Sequence, residues 1–140
     1  MNPIAILLLH VEDDRIQQAL VAHQLAALPD YRFEITVATS EDEALELFPG
    51  GGFELVIMDY QLIRGDGLSC LHNIREIDPI VPIIAVSAVA TDEIAADLIS
   101  AGADDYLAKQ NLDSKLLGQS VRNVLTRAQA FRARFAVLAK

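Results

Sequence analysis

Acidic side chains stand where apolar runs stop. Glu12, Asp13 and Asp14 close the run that begins at Ile4, and Asp59 closes Leu55-Val56-Ile57-Met58. Ser87 follows Ile83-Ile84-Ala85-Val86, and Lys109 follows Tyr106-Leu107-Ala108. Three carboxylates gathered at one point cannot all stay ionised without a counter-charge. Hard oxygen ligands of this kind suit Mg2+, which takes one or two carboxylates and keeps several waters. A carboxylate beside such a cation can attack phosphorus and form an acyl phosphate, so Asp59 is the candidate nucleophile, with Glu12 and Asp13 as metal ligands. Ser87 can donate its hydroxyl to a phosphoryl oxygen. Lys109 can place its charge first on Asp59 and then on the phosphoryl group. Asp14 has a plainer use as the cap of the helix that follows it.

This chemistry needs an architecture that brings distant segments together. Short apolar or β-branched runs cover residues 4–11, 33–38, 53–58, 82–86 and 105–108. The first, third and fourth are nearly continuous rather than alternating, as strands buried on both faces should be. Helical signals lie between them. The first helix is expected from about Asp14 to Leu28, with Ile16, Leu20, Val21 and Leu25 on one face and Pro29 ending it. Ser40 and Glu43 form a capping box for the second, which Pro49 and three glycines stop. The third runs from Gly67 to Glu76, the fourth from Thr91 or Asp92 to Gly102, and Asp113 or Ser114 opens the fifth. The class is therefore α/β: a (βα)5 doubly wound, flavodoxin-like parallel sheet with an extended C-terminal helix. With strand order 2-1-3-4-5, the first and third strands are neighbours. Glu12, Asp13 and Asp59 then meet at the crevice where strand order reverses.

Composition bounds the function. A chain of 140 residues with 52% hydrophobic residues can bury the core of one domain without disulfides. Its formal net charge of −9 repels nucleic-acid phosphates and anionic lipid, so neither direct nucleic-acid binding nor membrane association is expected. The N-terminal apolar run is too short to span a bilayer. The single cysteine, Cys70, reads as a buried inert thiol and fits a reducing, cytoplasmic setting.

Five blocks, in order, give the chain a family likeness. Leu8-Leu9-His10-Val11-Glu12-Asp13-Asp14, Val56-Ile57-Met58-Asp59-Tyr60-Gln61-Leu62, Gly65-Asp66-Gly67, Ile83-Ile84-Ala85-Val86-Ser87-Ala88 and Gly102-Ala103-Asp104-Asp105-Tyr106-Leu107-Ala108-Lys109 resemble the response-regulator receiver family of two-component signalling. The resemblance implies a phosphorylation switch, not a metabolic enzyme. Asp59 would accept a phosphoryl group from a histidine kinase or histidine phosphotransfer protein. Glu12, Asp13, Asp59 and the Gln61 main-chain carbonyl would hold Mg2+, and Ser87 and Lys109 would bind the phosphoryl group. It also implies that Ser87 and Tyr106 form the switch pair, and that Gln61 and Val89 tune the phosphoryl lifetime. A scaffold that no longer takes phosphate is the alternative. A mononucleotide-binding flavodoxin is disfavoured, because its phosphate loop would not read Glu12-Asp13-Asp14.

Two positions depart from the family pattern. Ile63, followed by Arg64, stands where the family usually has proline. Gln110 stands where a proline, often in a cis bond, usually follows the lysine. A cis bond before a non-proline residue costs about 3 kcal/mol, so a trans bond or visible strain is expected at Gln110. At the C-terminus, Leu117, Val121, Val124, Ala128, Phe131, Phe135 and Leu138 alternate spacings of four and three, the a/d pattern of a coiled coil. The receiver is therefore assigned to residues 1–126. Residues 127–140 are read as an extension of the last helix, serving either as a homodimer seam or as a signalling helix toward an output domain.

Overall fold

The computed structural model describes residues 2–62, 66–89 and 91–138, with side chains as far as Phe135. In chain order the elements are β1 (Ile4–Val11), α1 (Arg15–Ala26), β2 (Tyr31–Ala38), α2 (Glu41–Leu47), β3 (Leu55–Asp59), α3 (Gly67–Ile77), β4 (Ile83–Ser87), α4 (Asp92–Ser100), β5 (Asp105–Ala108) and α5 (Ser114–Leu138). A single 3-10 turn over Lys109–Asn111 links β5 to α5. Ile63 and Arg64, with the glycine that follows them, lie outside the described residues.

All strands pair in parallel in the order β2-β1-β3-β4-β5. The continuous apolar runs are explained by two cores. Leu9, Val11, Val56, Met58, Ile83 and Ala85 point to the face covered by α2, α3 and α4. Their neighbours Leu8, Leu55, Ile57, Ile84 and Val86 point to the face covered by α1 and α5. Strands β3 and β4 are buried at every residue, whereas the edge strand β2 alternates. The first two residues of β2, Tyr31 and Arg32, pair with Ile4 and Ala5, which starts this strand earlier than its apolar run.

Helix ends follow the local chemistry. Asp14, Ser40, Asp66 and Thr91 each accept a backbone N–H at the start of α1, α2, α3 and α4, and Asp113 accepts the Leu116 N–H at the start of α5. In the capping box of α2, Glu43 reaches back to the Thr39 N–H at 2.9 Å. The expected face of α1 needs correction. Ile16 and Leu20 are 78% and 38% exposed, and the buried residues of α1 are Val21, Gln24 and Leu25, with Leu28 buried just past its end. A glutamine in the middle of that stripe disguised it. At Gly118, helix α5 closes on the segment just after α1, where an added Cβ would lie 2.8 Å from Leu28 Cδ2.

Arg75 ties the opposite end of the sheet together. It donates to the carbonyls of Gly102 at 2.8 Å, Val81 at 2.6 Å and Asp78 at 3.2 Å, and pairs with Asp104 Oδ2 at 2.8 Å. Asp104 also accepts the Ile83 N–H, so one arginine links α3, β4 and the turn before β5. Gly102, at φ +113°, adopts a conformation that side chains rarely take, and a Cβ there would meet Arg75. Arg75→Ala is expected to destabilise the fold by about 2 kcal/mol in urea unfolding, since three carbonyls and a half-buried carboxylate lose their partner.

Candidate functional site

Parallel pairing aligns the carboxyl ends of β1, β3, β4 and β5. Val11 is registered with Met58, Asp59 with Val86, and Ser87 with Ala108. Glu12, Asp13 and Asp59 thus converge, each offering a carboxylate oxygen within 4.8 Å of the others. Glu12 and Asp59 are buried, and Lys109 Nζ touches both, at 3.0 Å from Glu12 Oε1 and 3.2 Å from Asp59 Oδ2.

Backbone and amide groups hold the carboxylates in place. The second oxygen of Glu12 accepts the Asp14 N–H at 3.2 Å, and the other oxygen of Asp59 accepts the Gln61 N–H at 3.1 Å. The Gln18 amide donates to the Glu12 carbonyl at 2.7 Å, and the Glu12 N–H donates to the Ala38 carbonyl at 2.9 Å. Gly67 completes the frame. A Cβ there would lie 2.5 Å from the Asp59 carbonyl oxygen and 2.6 Å from Tyr60 Cα, so only glycine lets α3 start this close to the end of β3.

The electrostatics match the geometry. Burial, with Asp59 nearby, pushes the Glu12 carboxyl up to about 7, against the opposing effect of Lys109. Burial alone would lower Lys109, but its hydrogen bond to Glu12 and the charges of Asp59 and Glu12 overcome this and raise it. His10, behind Glu12 on β1, is lowered to about 4 by burial and by Lys109, and stays neutral at pH 7. Two like charges at 4.8 Å repel by roughly 3 kcal/mol at an effective dielectric constant near 20. One ammonium, shared by Glu12 and Asp59, offsets part of that repulsion. The donor set of hard oxygens around this deficit fits a small divalent cation.

Ser87 and Tyr106 meet at a third point. The buried Ser87 hydroxyl donates to the Val89 carbonyl at 2.9 Å and accepts the Val89 N–H at 3.1 Å. Tyr106 Oη donates to the same carbonyl at 3.1 Å. The bond between Lys109 and Gln110 is trans, as no cis peptide occurs among the described residues, and no non-glycine residue there has positive φ. Asp14 caps α1, its plainer reading. Residue types and spacing did not single out His10, Gln18 or Gln24. His10 stands inside an apolar run, and the two glutamines act through partners that spacing does not reveal.

Comparison with known proteins bears on this geometry. The family model described as response regulator receiver domain matches residues 8–122. The chain is 30% identical over 99 residues to the transcriptional regulatory protein ZraR of Escherichia coli K12, covering 71% of this chain and 22% of that protein. It is 33% identical over 113 residues to the transcriptional regulatory protein DltR of Streptococcus agalactiae, covering 80% of this chain and 49% of that protein. It thus spans between about a fifth and a half of these relatives. Among solved structures, a signal receiver domain attributed to a Luxo repressor protein of Vibrio parahaemolyticus superposes with a TM-score of 0.82 at 25% identity, covering 93% of this chain and 97% of that one. The receiver domain of a sensor histidine kinase from Pseudomonas aeruginosa, with a magnesium ion coordinated in its active site cleft, gives 0.77 at 26%, covering 87% and 98%.

Glu12 generates a testable pH dependence. Its raised value means that the folded chain binds a proton more readily than the unfolded chain, so its stability contribution is present below the ordinary carboxylate range and is lost as pH rises to about 7. The stability difference between wild type and Glu12→Gln is expected to fall from pH 4.5 to 7 and flatten above, measured by urea unfolding without divalent cation. His10 is common to both proteins and cancels.

Proposed function

Because this chain belongs to the response regulator receiver family, matched over residues 8–122, we propose that it is a signalling switch in which Asp59 accepts a phosphoryl group from a phosphohistidine of a histidine kinase or phosphotransfer protein. The observation that supports this reading best is the contact of Lys109 with both Asp59 and Glu12, beside Asp13. In the proposed reaction an Asp59 oxygen forms a bond to phosphorus as the phosphorus–nitrogen bond of the donor breaks, and the departing imidazole keeps the electron pair and takes a proton. Mg2+, held by Glu12, Asp13, Asp59 and the Gln61 main-chain carbonyl, would neutralise charge on the transferring oxygens. Lys109 would stabilise the carboxylate before transfer and bind the phosphoryl group after it.

The switch is proposed to run through Val89. A hydroxyl has one proton to donate, and Ser87 gives it to the Val89 carbonyl in this structure. A phosphoryl group on Asp59 would compete for that proton and free the carbonyl that Tyr106 also holds. Tyr106 would then favour a second position, and the surface around α4, β5 and α5 would change with it. Val89, 42% exposed, and Gln61 flank this path and are proposed to tune phosphoryl lifetime. Downstream, the relatives named as transcriptional regulators and the kinase receiver differ in output, so the site does not choose between them. Charge argues that this chain does not itself touch nucleic acid. The proposed setting is cytoplasmic. Among the described residues, no helix is long and apolar enough to cross a membrane.

Incubation with acetyl phosphate and Mg2+ is expected to add one phosphoryl mass to the intact chain. Asp59→Ala should remove the adduct, and Lys109→Ala should slow its formation on the order of a hundredfold. Absence of any adduct over a range of Mg2+ concentrations would instead favour the scaffold that acts by protein contacts alone.

A further inference from the structure

Helix α5 continues to Leu138, well past residue 122 where the family match ends. Leu117, Val121 and Val124 are buried against the domain, yet the same stripe then emerges into solvent. Every residue from Gln129 to Phe135 is exposed. Phe131 and Phe135, 49% and 58% exposed, stack on each other with ring centroids 5.5 Å apart. Phe131 also forms one wall of a cleft of about 190 Å3 floored by Pro79, Ile80 and Ala128. Two large aromatics on one exposed helix face, beside a cleft that Asp104 and Arg127 also line, form a seat for a second helix.

Charge selects the occupant. Of 20 acidic residues, none lies after Asp113, so α5 carries only basic charges. Arg127 is occupied, donating to the Asp104 carbonyl at 3.0 Å. Arg132 and Arg134 flank the Phe131–Phe135 stripe and make no ion pair among the described residues. In heptad terms, Arg132 falls at an e position and Arg127 and Arg134 at g positions, where coiled-coil partners place complementary charges. Pairing two copies of this helix sets arginine against arginine in either orientation.

We propose that the exposed stripe of α5 around Phe131 and Phe135 docks an acidic amphipathic helix of a different protein, whose apolar side covers the two rings and whose carboxylates pair with Arg132 and Arg134. This surface lies away from Asp59 and does not depend on the phosphoryl chemistry.

The test uses the whole chain and two labelled helical peptides of about four heptads, both with leucine at a and d, one with glutamate and one with lysine at e and g. Fluorescence anisotropy should show the glutamate peptide binding at least about tenfold more tightly than the lysine peptide, and more weakly as salt rises. The double variant Phe131→Ser and Phe135→Ser should lose at least about tenfold in affinity. The double variant Arg132→Glu and Arg134→Glu should reverse the preference between peptides, an outcome that misfolding cannot produce. Equal binding of both peptides, or binding of neither, would overturn the proposal. So would wild-type self-association in sedimentation that the glutamate peptide does not displace, which would assign the stripe to a second copy. Binding to phosphatidylserine vesicles with no peptide preference would assign it to a membrane surface.

Discussion

Glu12, Asp13 and Asp59 bring three carboxylate oxygens within 4.8 Å, an arrangement that opposes folding unless something supplies positive charge. Lys109 supplies part of it, bonded to two of the three. Burial first, and the charge of Asp59 after it, drive the Glu12 carboxyl up to about 7 against the opposing pull of Lys109. A protein gains nothing in stability from such a cluster, since carboxylates spread through solvent would cost less. The hard carboxylate oxygens gathered there are a donor set that fits a small divalent cation.

Holding that cluster is the task of the sheet. Parallel registration fixes the ends of β1, β3, β4 and β5 at one level, and complete burial of β3 and β4 resists slippage, because a shift of one residue would exchange the two apolar faces. Gly67 allows the chain leaving Asp59 to turn back at once into α3, and Gln18 and the Asp14 N–H fix Glu12 from α1. At the far edge, Arg75 joins α3 to β4 and the entry of β5, so the ladder is pinned at both ends.

The fold was legible where both faces of an element are buried, as in β1, β3 and β4, because a short continuous apolar run needs cover on two sides and a parallel sheet between helices provides it. Capping residues were legible because they too act locally: Asp14, Ser40 and Asp113 accept from N–H groups two or three residues away. The face of α1 was not, since Ile16 and Leu20 are as apolar as the buried Val21 and Leu25, and Gln24 broke the true stripe. Among site residues, Glu12, Asp13, Asp59 and Lys109 stood out by type and position, and the structure gathers them. The meeting of Ser87 and Tyr106 at the Val89 carbonyl depends on a loop path that residue types do not encode.

Gln24 carries the same lesson to Lys109. The turn that bears this lysine has no proline to stiffen it, and its bond to Gln110 is trans. The Leu112 N–H closes the turn on the Lys109 carbonyl at 3.2 Å, and the Leu112 carbonyl accepts from Gln24 Nε2 at 3.0 Å, across 88 residues of sequence. Gln24 is only 7% exposed, and its Oε1 has no partner among the described residues, a defect worth about 1 to 3 kcal/mol. Leucine would fill the same space without that cost but would leave the Leu112 carbonyl unpaired. The amide is thus kept for its donor, and α1 holds in register the turn from which Lys109 reaches Glu12 and Asp59.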